Sequence, residues 1–145
     1  MYAHSLQEDA NGFPETGKAL ARRIAYCKAA DAYLKCARDA PSQEDAQDAF
    51  RNAGGCFRKA AESLGVKAEE WGKAGDAYAA GKAFDSAVEM YRRGDLFDEA
   101  IRLIHRHKDR MDALLVESII EVAKLHFFRK GEYKYVRRYS TGHRY

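Results

Sequence analysis

Trp71, Ala74, Gly75, Tyr78, Phe84, Ala87, Tyr91 and the closing Gly94 fix the fold class of this chain more firmly than any other feature of it. Trp71, Ala74 and Tyr78 stand at i, i+3 and i+7, one stripe of a helix, and Gly75 beside them removes a side chain where a neighbouring backbone would approach. Gly81-Lys82 breaks the pattern and lets the chain reverse. Phe84, Ala87, Val88 and Tyr91 then form a second stripe at i, i+3, i+4 and i+7. The segment predicts a helical hairpin.

The pattern recurs along the chain. Tyr26, Ala29, Ala30 and Tyr33 repeat the first-helix stripe, as do Phe50, Ala53, Gly54 and Phe57, and more loosely Ile120, Ala123 and Phe127. The second-helix stripe returns 13 residues on as Phe97, Ala100 and Ile104. One hairpin cannot bury its apolar face alone whereas stacked neighbours can, so this self-similarity predicts a solenoid. The intervals are uneven: 24 residues from Tyr33 to Phe57, 21 from Phe57 to Tyr78, and 13 from Tyr78 to Tyr91.

The Trp71–Tyr91 hairpin resembles the tetratricopeptide repeat, with Ala74 where that family has Leu and Glu99 where it has Pro. The long early helices are similar to those of the soluble NSF attachment proteins, and the short helices at 84 to 104 to the accessory helical repeats of large fungal UvrD-like helicases. The resemblance implies an α-solenoid of stacked antiparallel hairpins with a concave groove for a peptide or partner helix. On the Trp71–Gly94 hairpin, Lys73, Asp76 and Lys82 are the polar positions placed to meet such a partner.

Composition fits an all-helical reading. Leu, Ile, Val and Phe total only 26 of 145 residues, which alone would sit near the disordered class, but 25 alanines favour helix and let helices approach closely. Six or seven helices are expected, at roughly 15–39, 43–64, 67–80, 83–93, 96–107, 110–130 and 132–139. Pro14 and Pro41 stand where helices begin, and Ser42 with Asp45 forms a capping box in which Asp replaces Glu. Residues 1–13 lack a sustained apolar period and contain Asn11-Gly12, which predicts a flexible arm. The single helical-repeat domain is then 14–139, followed by a frayed tail over 140–145. That last hairpin, if exposed, would be able to pair with a second copy.

No stretch of about 20 apolar residues occurs, and no basic segment followed by an apolar one opens the chain, which predicts an intracellular protein, cytoplasmic or nuclear. Cys27, Cys36 and Cys56 lie within helical stripes and read as reduced, small buried hydrophobes. The net charge of +3 is unevenly spread: +1 over residues 1–39, −4 over 40–100 and +6 over 101–145.

Catalytic signatures are lacking: there is no phosphate loop, no nucleophile elbow and no zinc-protease motif. His105 and His107 point to different faces of a helix and read as surface cations near its end. His126, between Leu125 and Phe127, reads as a boundary histidine. Glu69-Glu70 and Asp98-Glu99 belong in first turns, where they complement the helix dipole, and Gly54-Gly55 reads as a close packing contact. The tail carries Arg129, Lys130, Lys134, Arg137 and Arg138 interleaved with tyrosines, candidate phosphate and base contacts for nucleic acid. The sequence thus predicts a non-catalytic protein-interaction scaffold without cofactor or metal. Two alternatives stand beside it: an accessory region of a larger UvrD-like helicase, contacting nucleic acid through the basic tail, and a trafficking adaptor similar to the attachment proteins.

Overall fold

A computed structural model describes residues 2–12, 19–63 and 68–129. Among them there is no strand and there are seven α-helices: α1 (Tyr2–Asn11), α2 (Ala19–Arg38), α3 (Gln43–Glu62), α4 (Glu70–Ala80), α5 (Phe84–Arg93), α6 (Phe97–His107) and α7 (Ala113–Arg129). A single tight turn, Lys108–Arg110, separates α6 from α7. The predicted helix at 132–139 and the tail at 140–145 lie outside the described residues. None of the described helices is long and apolar enough to cross a membrane.

Helix α1 corrects the reading of residues 1–13 as an arm. Its stripe is made of small residues, Ala3 and Ala10, both buried, with Leu6 packed between them, so it shows no large apolar period. Polar residues then fasten it: the hydroxyl of Tyr33 donates to Gln7 Oε1 at 2.9 Å, and that of Tyr26 donates to Asn11 Oδ1. At α3, Ser42 is extended and its hydroxyl accepts from the Asp45 backbone N–H at 3.1 Å, the first half of the predicted box.

The turns after α4 and α5 are copies of each other. In each, a glycine ends the helix and the next residue, Lys82 or Asp95, is left-handed with φ of 63° or 57°. The backbone N–H of Ala83 donates to Tyr78 O at 2.9 Å, and that of Leu96 to Tyr91 O at 2.8 Å. These are the six-to-one bonds of a Schellman turn. The repeated unit over this region is therefore one helix with its turn, Tyr78 to Phe84 and again Tyr91 to Phe97, rather than a whole hairpin. That accounts for the 13-residue interval.

Contacts along the chain give each helix its direction. Arg22 near the start of α2 reaches Ser63 just past α3, and the Gln47 carbonyl early in α3 lies against Gly81 at the end of α4, whose own carbonyl accepts from Arg51 at mid-α3. Trp71 at the start of α4 packs on Gly94 at the end of α5, and Phe84 at the start of α5 stacks on His107 at the end of α6. Phe97 at the start of α6 meets His126 near the end of α7. Consecutive helices are therefore antiparallel, so α2, α4 and α6 run one way and α1, α3, α5 and α7 the other. Each helix packs mainly on its neighbours in sequence, and α7 lies across both α5 and α6.

The core changes character along the stack. From α1 to α4 it is alanine and aromatic rings, with Tyr26, Tyr33, Phe57 and Trp71 set among Ala29, Ala30, Ala53, Ala60 and Ala74. From α5 onward aliphatic side chains, Val88, Leu103, Ile104, Met111 and Ile119, join the rings of Phe84, Tyr91, Phe97 and Phe127. Tyr78 touches both halves and joins them. Its ring lies over Gly54, where an added Cβ would sit 2.9 Å from it, and the ring of Tyr91 covers Gly75, with a Cβ only 2.5 Å away. The close neighbour expected as backbone at Gly75 is thus an aromatic ring. The Gly54 packing role holds in the same sense.

Candidate binding groove

Because α2, α4 and α6 are parallel and separated by one helix each in sequence, their side chains line a common face. Between α2 and α4 lies a pocket of about 360 Å³, lined by Asp31 and Leu34 from α2, Phe50 and Phe57 from α3, and Lys73, Asp76, Ala77 and Ala80 from α4. Between α4 and α6 lies another of about 400 Å³, whose lining includes Asp76, Ala80, Tyr91, Glu99, Arg102 and Arg106. Asp76 and Ala80 border both, so the two pockets form one groove crossing three helices.

The helix periods explain this lining. Residues 71, 74, 75 and 78 face the α3–α5 side and are buried or half-buried there, which turns 73, 76 and 80 outward toward the groove. Ala77 and Ala80 keep its floor shallow. Asp76 is held by the Tyr91 hydroxyl, which donates to Oδ1. Burial, then that bond to a carboxylate, raises the Tyr91 phenol far above its ordinary value, so it stays a donor throughout the neutral range. Lys73 lies 3.7 Å from Glu69 Oε1 with its ammonium 5.9 Å from the centre of the Phe57 ring.

Of the three predicted partner-contacting residues, Lys73 and Asp76 come together on one pocket. Lys82 is exposed at the left-handed position of the α4–α5 turn and borders neither pocket. Tyr26, Ala29, Tyr33, Ala53, Gly54, Phe57, Trp71, Ala74, Gly75, Phe84, Ala87, Tyr91, Phe97, Ala100 and Ile104 are buried. Phe50 and Tyr78 are half-buried: Phe50 faces the groove instead of closing a helix pair. Arg129 is exposed at the end of α7, and Lys130, Lys134, Arg137 and Arg138 lie outside the described residues.

Two assignments change. His107 is no simple surface cation: its ring stacks on Phe84 with centroids 4.0 Å apart and planes within 11°. Partial burial, helped by Arg110, Lys82 and Arg106, holds its pKa below the usual histidine value, which favours the neutral ring. Cys36 is exposed, unlike Cys56, which is buried with its thiol pushed up to about 11 by burial. His126 is half-buried against Phe97, a boundary position.

The residue that sequence reasoning missed is Glu70. It stands in the first turn of α4 as expected, yet it is only 2% exposed. Its Oε2 accepts from Arg23 Nε at 2.9 Å and Nη2 at 2.6 Å, and from the Cys27 thiol at 3.7 Å. Burial pushes this carboxyl upward, but the Arg23 hydrogen bonds outweigh it and hold the pKa below the ordinary value. Burial and Glu70 together push the Cys27 thiol to about 11. The signal was present in the spacing: Glu70, Ala74 and Ala77 are i, i+4 and i+7 on a buried stripe.

Among the described residues no group of three or more His, Cys, Asp or Glu side chains is placed to hold a metal ion. A scan against protein-family models and searches of curated proteins and of solved structures found no match to the chain.

Proposed function

We propose that this chain is a non-catalytic, tetratricopeptide-like scaffold that binds a peptide or a partner helix in the groove across α2, α4 and α6. The observation that carries the reading is the continuity of that groove through Asp76 and Ala80. A segment laid across parallel helices meets alternating apolar floor and charged rim, the arrangement by which helical repeats hold extended or helical ligands. The rim carries both signs, Asp31, Lys73 and Asp76 between α2 and α4 and Asp76, Glu99, Arg102 and Arg106 between α4 and α6, so it discriminates among ligands by charge as well as by shape.

The test places a photo-crosslinking residue at Ala80, an exposed position bordering both pockets, and at Glu44 on α3, also exposed but outside the groove. In a lysate of the source cells, the Ala80 site is expected to yield discrete protein adducts that survive nuclease and are absent from the Glu44 site. Equal labelling at both sites, or adducts that vanish with nuclease, sinks the proposal.

A further inference from the structure

Helix α7 buries Ile119, Ala123 and Phe127 against the stack and carries a second apolar stripe on its outer side. Leu114 is 74% exposed, Leu125 58% and Val122 40%. Leu114, Ser118, Glu121 and Leu125 are separated by four, three and four residues, the seam spacing of a coiled coil. Glu117 and Lys124 sit seven residues apart on one flank of that seam, and the exposed Val122 sits on the other, where Leu115 turns in against the core.

This pattern complements itself only when reversed. About a two-fold axis between Ile119 and Ile120, Leu114 faces Leu125 of a second copy, Ser118 faces its Glu121, and Glu117 its Lys124, whose ammonium within one copy lies 3.3 Å from Glu121 Oε1. A parallel pair would instead set Glu121 against Glu121 within the seam. From this register the geometry points to a homodimer formed by antiparallel pairing of two α7 helices.

The pairing is weak by construction. Seventeen residues make a helix about 25 Å long, and a contact strip about 10 Å wide along it covers about 250 Å² per partner, well under the ~800 Å² of a standard interface. The Ser118–Glu121 layer adds register at the expense of affinity, as polar seam positions do. A different association is open to the molecule, since Tyr2, Leu20 and Ile24 are also exposed at the other end of the stack. Joining that end to α7 would be heterologous and would continue into chains.

Sedimentation of the full chain from about 10 µM to about 1 mM, a range suited to so small an interface, is expected to show the mass rising from one copy toward two and stopping there. Lys124→Glu and Leu125→Lys are expected to stay monomeric across that range with unchanged helical circular dichroism. Glu117→Lys combined with Lys124→Glu restores the ionic flank and is expected to recover the dimer. A monomer at every concentration overturns the proposal, as does growth beyond two copies. So does a dimer indifferent to Lys124→Glu.

Discussion

Gly75 and Gly55 are both helical glycines, yet they predict opposite responses to the same substitution. A Cβ at Gly75 would lie 2.5 Å from the Tyr91 ring, whereas at Gly55 the nearest atom, the Tyr78 hydroxyl oxygen, is 3.6 Å away. Gly75→Ala should therefore destabilise by about 1–3 kcal/mol through overpacking. Gly55→Ala should stabilise by about 0.5–1 kcal/mol, because alanine costs less backbone entropy in a helix. Urea unfolding midpoints for the two variants decide this, and a Gly75→Ala protein as stable as the parent would show that the ring is free to move aside. Which neighbour the glycine admits was not legible in the sequence. The pattern marked Gly75 as a site of close approach, but only the fold shows that the approaching group is a ring whose hydroxyl is held by Asp76 next door.

At the scale of the element, the two Schellman turns each hold a non-glycine residue in the left-handed region, at Lys82 and Asp95. Asp95→Gly should relieve that conformation and raise stability by roughly 0.5–1 kcal/mol, the residue of a larger strain relief after the added entropy of the unfolded chain. A lower unfolding midpoint would mean that the Asp95 side chain contributes more than its backbone costs. The pair joining α2 to α4 behaves differently. Glu70→Gln removes a buried charge that faces Arg23, and thermal stability should fall. Arg23→Met together with Glu70→Met should recover much of it, since apolar replacement of a whole buried pair is better tolerated than removal of one partner. Thermal melts of the single and double variants measure the coupling. Helix positions themselves were readable from spacing, turn residues and the Ser42 cap. Helix α1 was not, because its apolar stripe is alanine and its anchorage comes from tyrosines on α2.

For the whole molecule, three depressed pKa values share a sign. His107 lies below its ordinary 6.5, and Glu70 and Glu89 below their ordinary 4.5, the last through Arg92. In each case the unfolded chain takes up a proton at a higher pH than the native one, so stability is greatest above the unfolded pKa and declines as pH falls through the folded one. Urea unfolding should show a first decline below about pH 6.5 from His107 and a second below about pH 4.5 from the two glutamates. His107→Gln should flatten the first and leave the second; a first decline unchanged in that variant would assign it elsewhere. The groove, by contrast, was only partly visible beforehand. Lys73 and Asp76 could be placed by helical period, but Phe50, Arg102 and Arg106 join them only because α2, α4 and α6 come to lie side by side.

The twin turns also impose a rule of parity on the molecule's length. Residues 84–96 form one 13-residue module that begins at a phenylalanine and ends where the next phenylalanine begins. Because each module reverses the chain, inserting one extra copy would send α6 and α7 in the wrong direction, while inserting two would return them to the direction they now have. A chain lengthened by 26 residues should fold cooperatively with its groove prolonged, whereas one lengthened by 13 should carry Arg102 and Arg106 of α6 to the opposite side from α2 and α4. Growth by duplication keeps the present groove helices on their own side only in even steps.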